Sequence, residues 1–315
     1  MTRAITNEKL WNNLKDSGIA EAVKKDADLA LFLRGRYITV YYKTLQILII
    51  NSASARINEK YLHPELKNKK NARLEKIEIP GKYGKNWFEY FDYARQKIDE
   101  YQKGGKEKEY QQELIRQNRF ANSDDYQIID VEYAQNSIIP NGENKRFDAV
   151  AIYRVSENMA GLAFIELKVG NGAVYSKTSG VSDHLRSAGK FYAELIRKNK
   201  ENDLYDDLDE VIKQLHELEL LPAEIKISRK IKPQMIFAMA DFKIDKHKQG
   251  LDGVIEGFLK SEDDGYPEAK RHYEILFSDL SAEKMMTAEN MVLRFENLKT
   301  PEEAVKQIKN ERGKK

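Results

Sequence analysis

Glu166 and Lys168 stand two residues apart in the stretch GLAFIELKVGNG, residues 161–172, which otherwise opens as a buried strand. An ionised group buried without a partner costs several kcal/mol, so the chain must either pair these two groups or use them. Side chains alternate faces along a strand, which puts Leu162, Phe164, Glu166 and Lys168 on one face, with about 7 Å between Glu166 and Lys168. In RFDAVAIYR (146–154), Asp148, Val150 and Ile152 share a face in the same way. If the two strands are antiparallel neighbours, Asp148 lies beside Glu166 and two carboxylates converge beside one ammonium. That set suits a Mg²⁺ site, with Mn²⁺ as a substitute. A hard cation takes oxygen ligands and keeps several waters, so two carboxylates and a backbone carbonyl are a typical protein share. The chemistry that follows is hydrolysis of a phosphodiester: a cation acidifies water and offsets phosphate charge, and a lysine orients the attack and stabilises the transition state.

The competing reading is an ion pair between Glu166 and Lys168 at a sheet end, with Asp148 capping a turn. The bare pattern Glu-x-Lys has no weight alone, for it occurs five times, at Glu65, Glu143, Glu166, Glu224 and Glu268. The copy at Glu166 differs in ending an apolar strand, with an Asp on the strand before it and a glycine-bearing loop after it. Asp130 and Glu132, on one face of a preceding strand, are alternatives for a further acid. Asp183 and His184 fall at the start of a helix, where the dipole favours Asp, and His184 is a candidate to face a phosphate. The loop with Gly170, Gly172, Lys177 and Gly180 lacks the P-loop pattern and reads as a plain connection. The histidines at 63, 216, 247 and 272 show no metal-ligand spacing. Residues 67–76 carry five basic residues against one acidic and read as a solvated face or a phosphate contact. The aromatics at 83–93 recur at helical spacing, which favours core packing over base stacking.

The elements that must position these residues follow from periodicity. Residues 7–34 read as helical, with Leu10, Leu14, Ala20 and Val23 on a loose apolar stripe. RYITVYYKTLQILII (36–50) reads as a hairpin turning near Lys43–Thr44. Trp87, Tyr90, Phe91, Ala94 and Ile98 give a helix over 85–102, and 109–120 reads as another. Three strands then succeed one another at 126–134, 146–154 and 161–169. A helix starts near Ser182 with Leu185, Ala188, Tyr192 and Leu195 on one side, and a further one lies around 205–219. PQMIFAMAD (233–241) suits a buried central strand, and 272–279 one more. The glycines of KGGKEK (103–108) mark a linker, which gives an N-terminal α+β domain at 1–105 and a second domain at 106–315. The order of elements in the second indicates an α/β sheet covered by helices.

Bulk composition narrows the class. The 315 residues are 41 % hydrophobic and 33 % charged, as in a globular protein with a well-solvated surface. With 53 basic and 51 acidic residues the net charge is +2, so contact with nucleic acid would come from local patches. No cysteine is present, which excludes disulfides, thiolate zinc sites and a cysteine nucleophile. The start MTRAITNEKLWNNLKDSG has no apolar h-region, and LQILII (45–50), interrupted by Gln46, is too short to span a bilayer. The expectation is a cytoplasmic protein with no membrane partner.

RFDAVAIY followed by GLAFIELKV resembles the PD-(D/E)XK nuclease superfamily, over roughly residues 109–240. Asp148 takes the first acidic position and Glu166-Leu167-Lys168 the second motif, while Phe147 stands where that motif has proline. The helix after the motif carries SDHLRSAGKFY rather than the Gln-x-x-x-Tyr of the RecB-like branch. The resemblance implies a restriction-endonuclease-like mixed central sheet flanked by helices, Mg²⁺ dependence and a nucleic-acid substrate, DNA ahead of RNA. It also implies that Leu167 lends a metal its main-chain carbonyl, and it maps the family's additional helix-borne acid to Glu113. Cutting both strands of a duplex needs two active sites or a reorientation, and closed two-fold dimers are the commonest assembly, so a homodimer is expected. The alternative is a catalytically silent relative that binds nucleic acid or scaffolds a complex.

Overall fold

The hairpin expected at 36–50 is present in the computed structural model, which describes residues 2–57, 61, 73–74, 87–101, 106–119, 126–133, 146–170, 172, 176, 180–181, 183–184, 187, 191, 198–222, 225–231, 233–240 and 293–294. Among the described residues are five helices and two sheets, a mixed α/β composition. None of the helices is long and apolar enough to cross a membrane, among the same residues. The chain forms two compact units, one of Met1–Asn122 with Asp206–Ile225 and one of Ser123–Tyr205 with Lys226–Lys315.

The first unit is built on an antiparallel sheet of β1 (Leu29–Leu33), β2 (Ile38–Tyr42), β3 (Leu45–Ile50), β4 (Ala55–Ile57) and β5 (Arg73–Leu74), paired in chain order. Lys43 and Thr44, at φ of 46° and 59°, make the tight turn between β2 and β3. Where the sequence reads as helical through 7–34, the structure has α1 (Glu8–Asp16), α2 (Ile19–Lys25) and then β1. The reason lies in LALFL (29–33): all five residues are buried, and a run without a polar face suits a strand covered on both sides. Leu10, Leu14, Ala20 and Val23 are buried as the stripe requires. α3 (Trp87–Tyr101) buries Trp87, Tyr90, Phe91, Ala94 and Ile98, so these aromatics are core. The Tyr90 hydroxyl donates to the Ile47 carbonyl at 2.8 Å, and the Trp87 indole N–H to the Ser17 carbonyl at 2.8 Å.

α4 (Lys106–Gln117) belongs to the first unit, not to the unit that begins at 106 in the sequence reading. Its side chains explain the attachment. The Gln112 amide donates to the Asp28 carbonyl at 2.8 Å. Just beyond the helix, buried Arg119 donates to the carbonyls of Val23, Asp26 and Leu29 at 3.0, 2.6 and 2.6 Å. Two of these carbonyls also accept a backbone N–H, Val23 from Asp26 and Asp26 from Leu29, so the guanidinium adds a second donor to the turn that leads from α2 into β1. α5 (Glu201–Glu217) counts with this unit from Asp206 onward. There Asp207 accepts the amides of Arg3 and Ala4, and the Gln214 amide group both donates to and accepts from Ile5 at 2.8 Å.

The second unit holds a mixed sheet in the order β11 (Leu293–Arg294), β10 (Gln234–Ala240), β8 (Met159–Val169), β7 (Phe147–Ser156), β6 (Tyr126–Tyr133). The short β9 (Lys226–Ile227) pairs with the start of β8. β8 lies inside the sheet, antiparallel to β7 and parallel to β9 and β10, which suits its continuous burial from Ala160 to Lys168. Gly161 is required beside Tyr153, its strand partner, because a Cβ there would enter the tyrosine ring, which packs against Tyr126 at 5.4 Å between centroids. The strand expected at 272–279, the apolar helix residues Leu185, Ala188, Tyr192 and Leu195, Lys177, and most of the basic stretch 67–76 lie outside the described residues.

Candidate active site

β7 and β8 are antiparallel neighbours in a register that pairs Ala149 with Ile165 and Val150 with Phe164. One step further along that register, Asp148 stands against Glu166. Here a side chain takes over from the main-chain ladder: the Leu167 N–H donates to Asp148 Oδ2 at 2.7 Å. That bond fixes the aspartate across the end of the strand pair. The antiparallel pairing that the sequence reading required of these two strands is thus present, and it brings the two carboxylates and the lysine to one end of the pair.

A fourth side chain completes the cluster. His184 Nδ1 lies 2.9 Å from Glu166 Oε2, and Lys168 Nζ lies 3.6 Å from the same oxygen. The other ring nitrogen of His184, Nε2, is 3.0 Å from Lys168 Nζ. His184 is thus drawn into the acid–lysine pair, where sequence reading makes it a candidate to face a phosphate. Val181, Asp183, His184, Ser187 and Phe191 are all helical, with the His184 N–H on the Gly180 carbonyl at 3.1 Å. Phe191, seven positions after His184, packs against Phe164 at 5.8 Å between centroids. Apolar residues three before and seven after His184, at helical spacing, are the sign in the sequence that it looks inward.

The surroundings raise the electrostatic stakes. Phe164, two residues before Glu166 on the same face, packs on Phe147 at 4.5 Å and near Tyr133 at 6.3 Å, so an aromatic floor adjoins the charges. Glu166 and Lys168 are buried, at 2 % and 7 % exposure. Part of Asp148 stays open to solvent. Protein nonetheless encloses its carboxyl, and burial, with the charge of Glu166 second, pushes it up to about 7. The Leu167 N–H, Lys168 and His184 pull the other way without cancelling this. Gly170, at φ 73°, turns the chain off β8 directly after the cluster.

Two carboxylates driven together in a half-dry setting are what a hard divalent cation relieves, and the residues fit Mg²⁺ in that respect. Among the described residues no group of three or more His, Asp or Glu side chains is arranged to hold a metal ion.

The other expected acids sit elsewhere. Glu113 is on α4 in the first unit, where Arg116 Nε and Nη2 donate to it at 2.8 and 2.6 Å and Gln117 adds a further bond. The Arg116 guanidinium holds its carboxyl below the usual range. Asp130 is buried in β6 and accepts the Val131 N–H at 2.7 Å. Glu132 is exposed, 3.7 Å from Arg146, at a φ of 48°. His216 Nδ1 sits 3.1 Å from the Leu221 carbonyl past the end of α5, and the histidines at 63, 247 and 272 lie outside the described residues. Comparison with family models, with curated proteins and with solved structures finds no match to this chain.

Proposed function

We propose that this chain is a Mg²⁺-dependent nuclease of restriction-endonuclease-like fold that hydrolyses phosphodiester bonds, in DNA ahead of RNA. The observation that carries the reading is the convergence of Asp148, Glu166 and Lys168 at the end of β8, with the Asp148 carboxyl raised to about 7 beside Glu166. Asp148, Glu166 and the Leu167 carbonyl would hold the cation. When bound, Mg²⁺ or Mn²⁺ supplies Lewis acidity that favours hydroxide over water and offsets phosphate charge.

The remaining work falls to the protein. The Leu167 N–H fixes the orientation of Asp148. Lys168 presents an ammonium on the face of β8 that carries Glu166, where it orients the attacking water and stabilises the charge that builds on the phosphate. The floor of Phe147, Phe164 and Phe191 keeps bulk water from one side, so each of these interactions acts at low dielectric. No side chain need form a covalent bond with substrate.

The test is incubation of the protein with supercoiled plasmid, single-stranded DNA and RNA in Mg²⁺, Mn²⁺ or EDTA. The reading requires cutting of at least one nucleic acid with either metal and none in EDTA. Substrates that stay intact under every condition overturn it and leave a silent nucleic-acid binder or scaffold.

A further inference from the structure

We infer that His184 is a positioning residue that holds the Lys168 ammonium in place by accepting from it at Nε2 while its Nδ1 faces Glu166; this rests on the nuclease reading for what the lysine does, but not for the geometry itself. An ammonium has three donors and no acceptor, so the 3.0 Å approach of Lys168 Nζ to His184 Nε2 makes Nε2 the acceptor. The proton of the ring is then on Nδ1, which donates to Glu166 Oε2 at 2.9 Å. One imidazole thereby fixes both ends of the Glu166–Lys168 pair. The direct contact between the pair, 3.6 Å, is the longest of the three and cannot by itself fix where the ammonium points.

The backbone supports the same division of labour. His184 comes from the helical segment and the lysine from β8, so the contact joins two elements. Seven positions on, Phe191 packs on Phe147 and Phe164 beside the cluster. A lysine on four rotatable bonds loses side-chain freedom when it is held, and a rigid acceptor on a packed helix meets that cost before substrate arrives. His184 acts through Lys168.

The substitutions separate the two ring nitrogens. His184→Gln puts an amide near the position of Nε2, and its carbonyl oxygen accepts from Lys168. His184→Asn puts an amide near the position of Nδ1 and keeps only the bond to Glu166. His184→Ala keeps neither. The inference requires kcat to fall about 10- to 100-fold in His184→Ala and His184→Asn with KM for nucleic acid little changed, and to recover in large part in His184→Gln. A His184→Asn protein that cuts like wild type, or three variants whose losses simply follow their melting temperatures, overturns it. A second readout needs no substrate and no metal: long-range ¹H–¹⁵N spectra of histidine-labelled protein. With five histidines in the chain, the signals lost in His184→Gln assign the ring. The inference requires a protonated Nδ1 and an unprotonated Nε2; the reverse tautomer or a doubly protonated ring overturns it. If wild type cuts nothing, the nuclease reading fails and the spectra still decide the positioning.

Discussion

Replacing Asp148 by Asn removes a proton whose hold on the folded state is measurable. The carboxyl is pushed up to about 7 in the folded chain, by burial first and by Glu166 second, from an ordinary value of 3.8. Between those two values the folded state keeps a proton that the unfolded state has released. With more protons bound folded than unfolded, unfolding free energy falls as pH rises through this window. About three units at about 1.4 kcal/mol each give a ceiling of about 4 kcal/mol, present near pH 4 and lost by about pH 7. Solvent reaching part of Asp148 lowers that to about 2–4 kcal/mol. The assay is urea unfolding followed by far-UV circular dichroism, in EDTA, at a series of pH values for wild type and Asp148→Asn. Subtracting the variant's curve removes the titrating groups that do not feel Asp148 and leaves the coupled titration of the Asp148–Glu166 pair. The difference should decline with rising pH and level off above neutrality, and Mg²⁺ should restore stability above pH 7 in wild type only. Parallel curves for the two proteins would refute the crowded carboxylate pair, and with it the reason for a cation to bind.

Three further outcomes follow from the packing. Gly161→Ala drives a methyl into the Tyr153 ring and should cost about 1–3 kcal/mol, whereas the same change in a Tyr153→Ala background should cost almost nothing; equal costs in the two backgrounds by urea unfolding would contradict the contact. Arg119→Met removes a buried donor shared by the carbonyls of Val23, Asp26 and Leu29, two of which keep a backbone N–H, and should destabilise the chain by about 1–3 kcal/mol; an unchanged unfolding midpoint would contradict that role. Glu113→Gln should leave the cleavage rate unchanged, because that carboxylate is already engaged by Arg116 and Gln117 on its own helix; a large loss of rate would return Glu113 to the site.

What the residues reveal in advance depends on how local the cause is. The hairpin at Lys43–Thr44, the buried face of α3 and the three strands around the site follow from period and turn chemistry, and the structure keeps them. Strand alternation with chain order was enough to bring Asp148 to Glu166, since antiparallel neighbours leave one register that buries both apolar faces. LALFL was misread because a short apolar run next to two helices has the same local signature in either state, and only the surrounding sheet decides. The assignment of α4 to the first unit was invisible for a related reason. It is fixed by Gln112 and Arg119 reaching carbonyls some ninety positions earlier, and no local pattern encodes a side chain's distant acceptor. His184 stands out in the sequence for its place near a helix start, but its partners, Glu166 and Lys168, come from β8 and no local pattern encodes them.

The central claim is that Lys168 serves chemistry rather than only neutralising Glu166, and Lys168→Ala tests it most directly. The measurement is the single-turnover rate of nucleic-acid cleavage at saturating Mg²⁺, with an unfolding curve for the same preparation. The account predicts a folded protein that still binds nucleic acid and cuts about 10²-fold more slowly or worse. A folded Lys168→Ala protein that cuts as fast as wild type contradicts it. So does a protein destabilised by about 3–5 kcal/mol whose remaining folded fraction cuts normally, since that is the cost of stranding Glu166 in a structural ion pair.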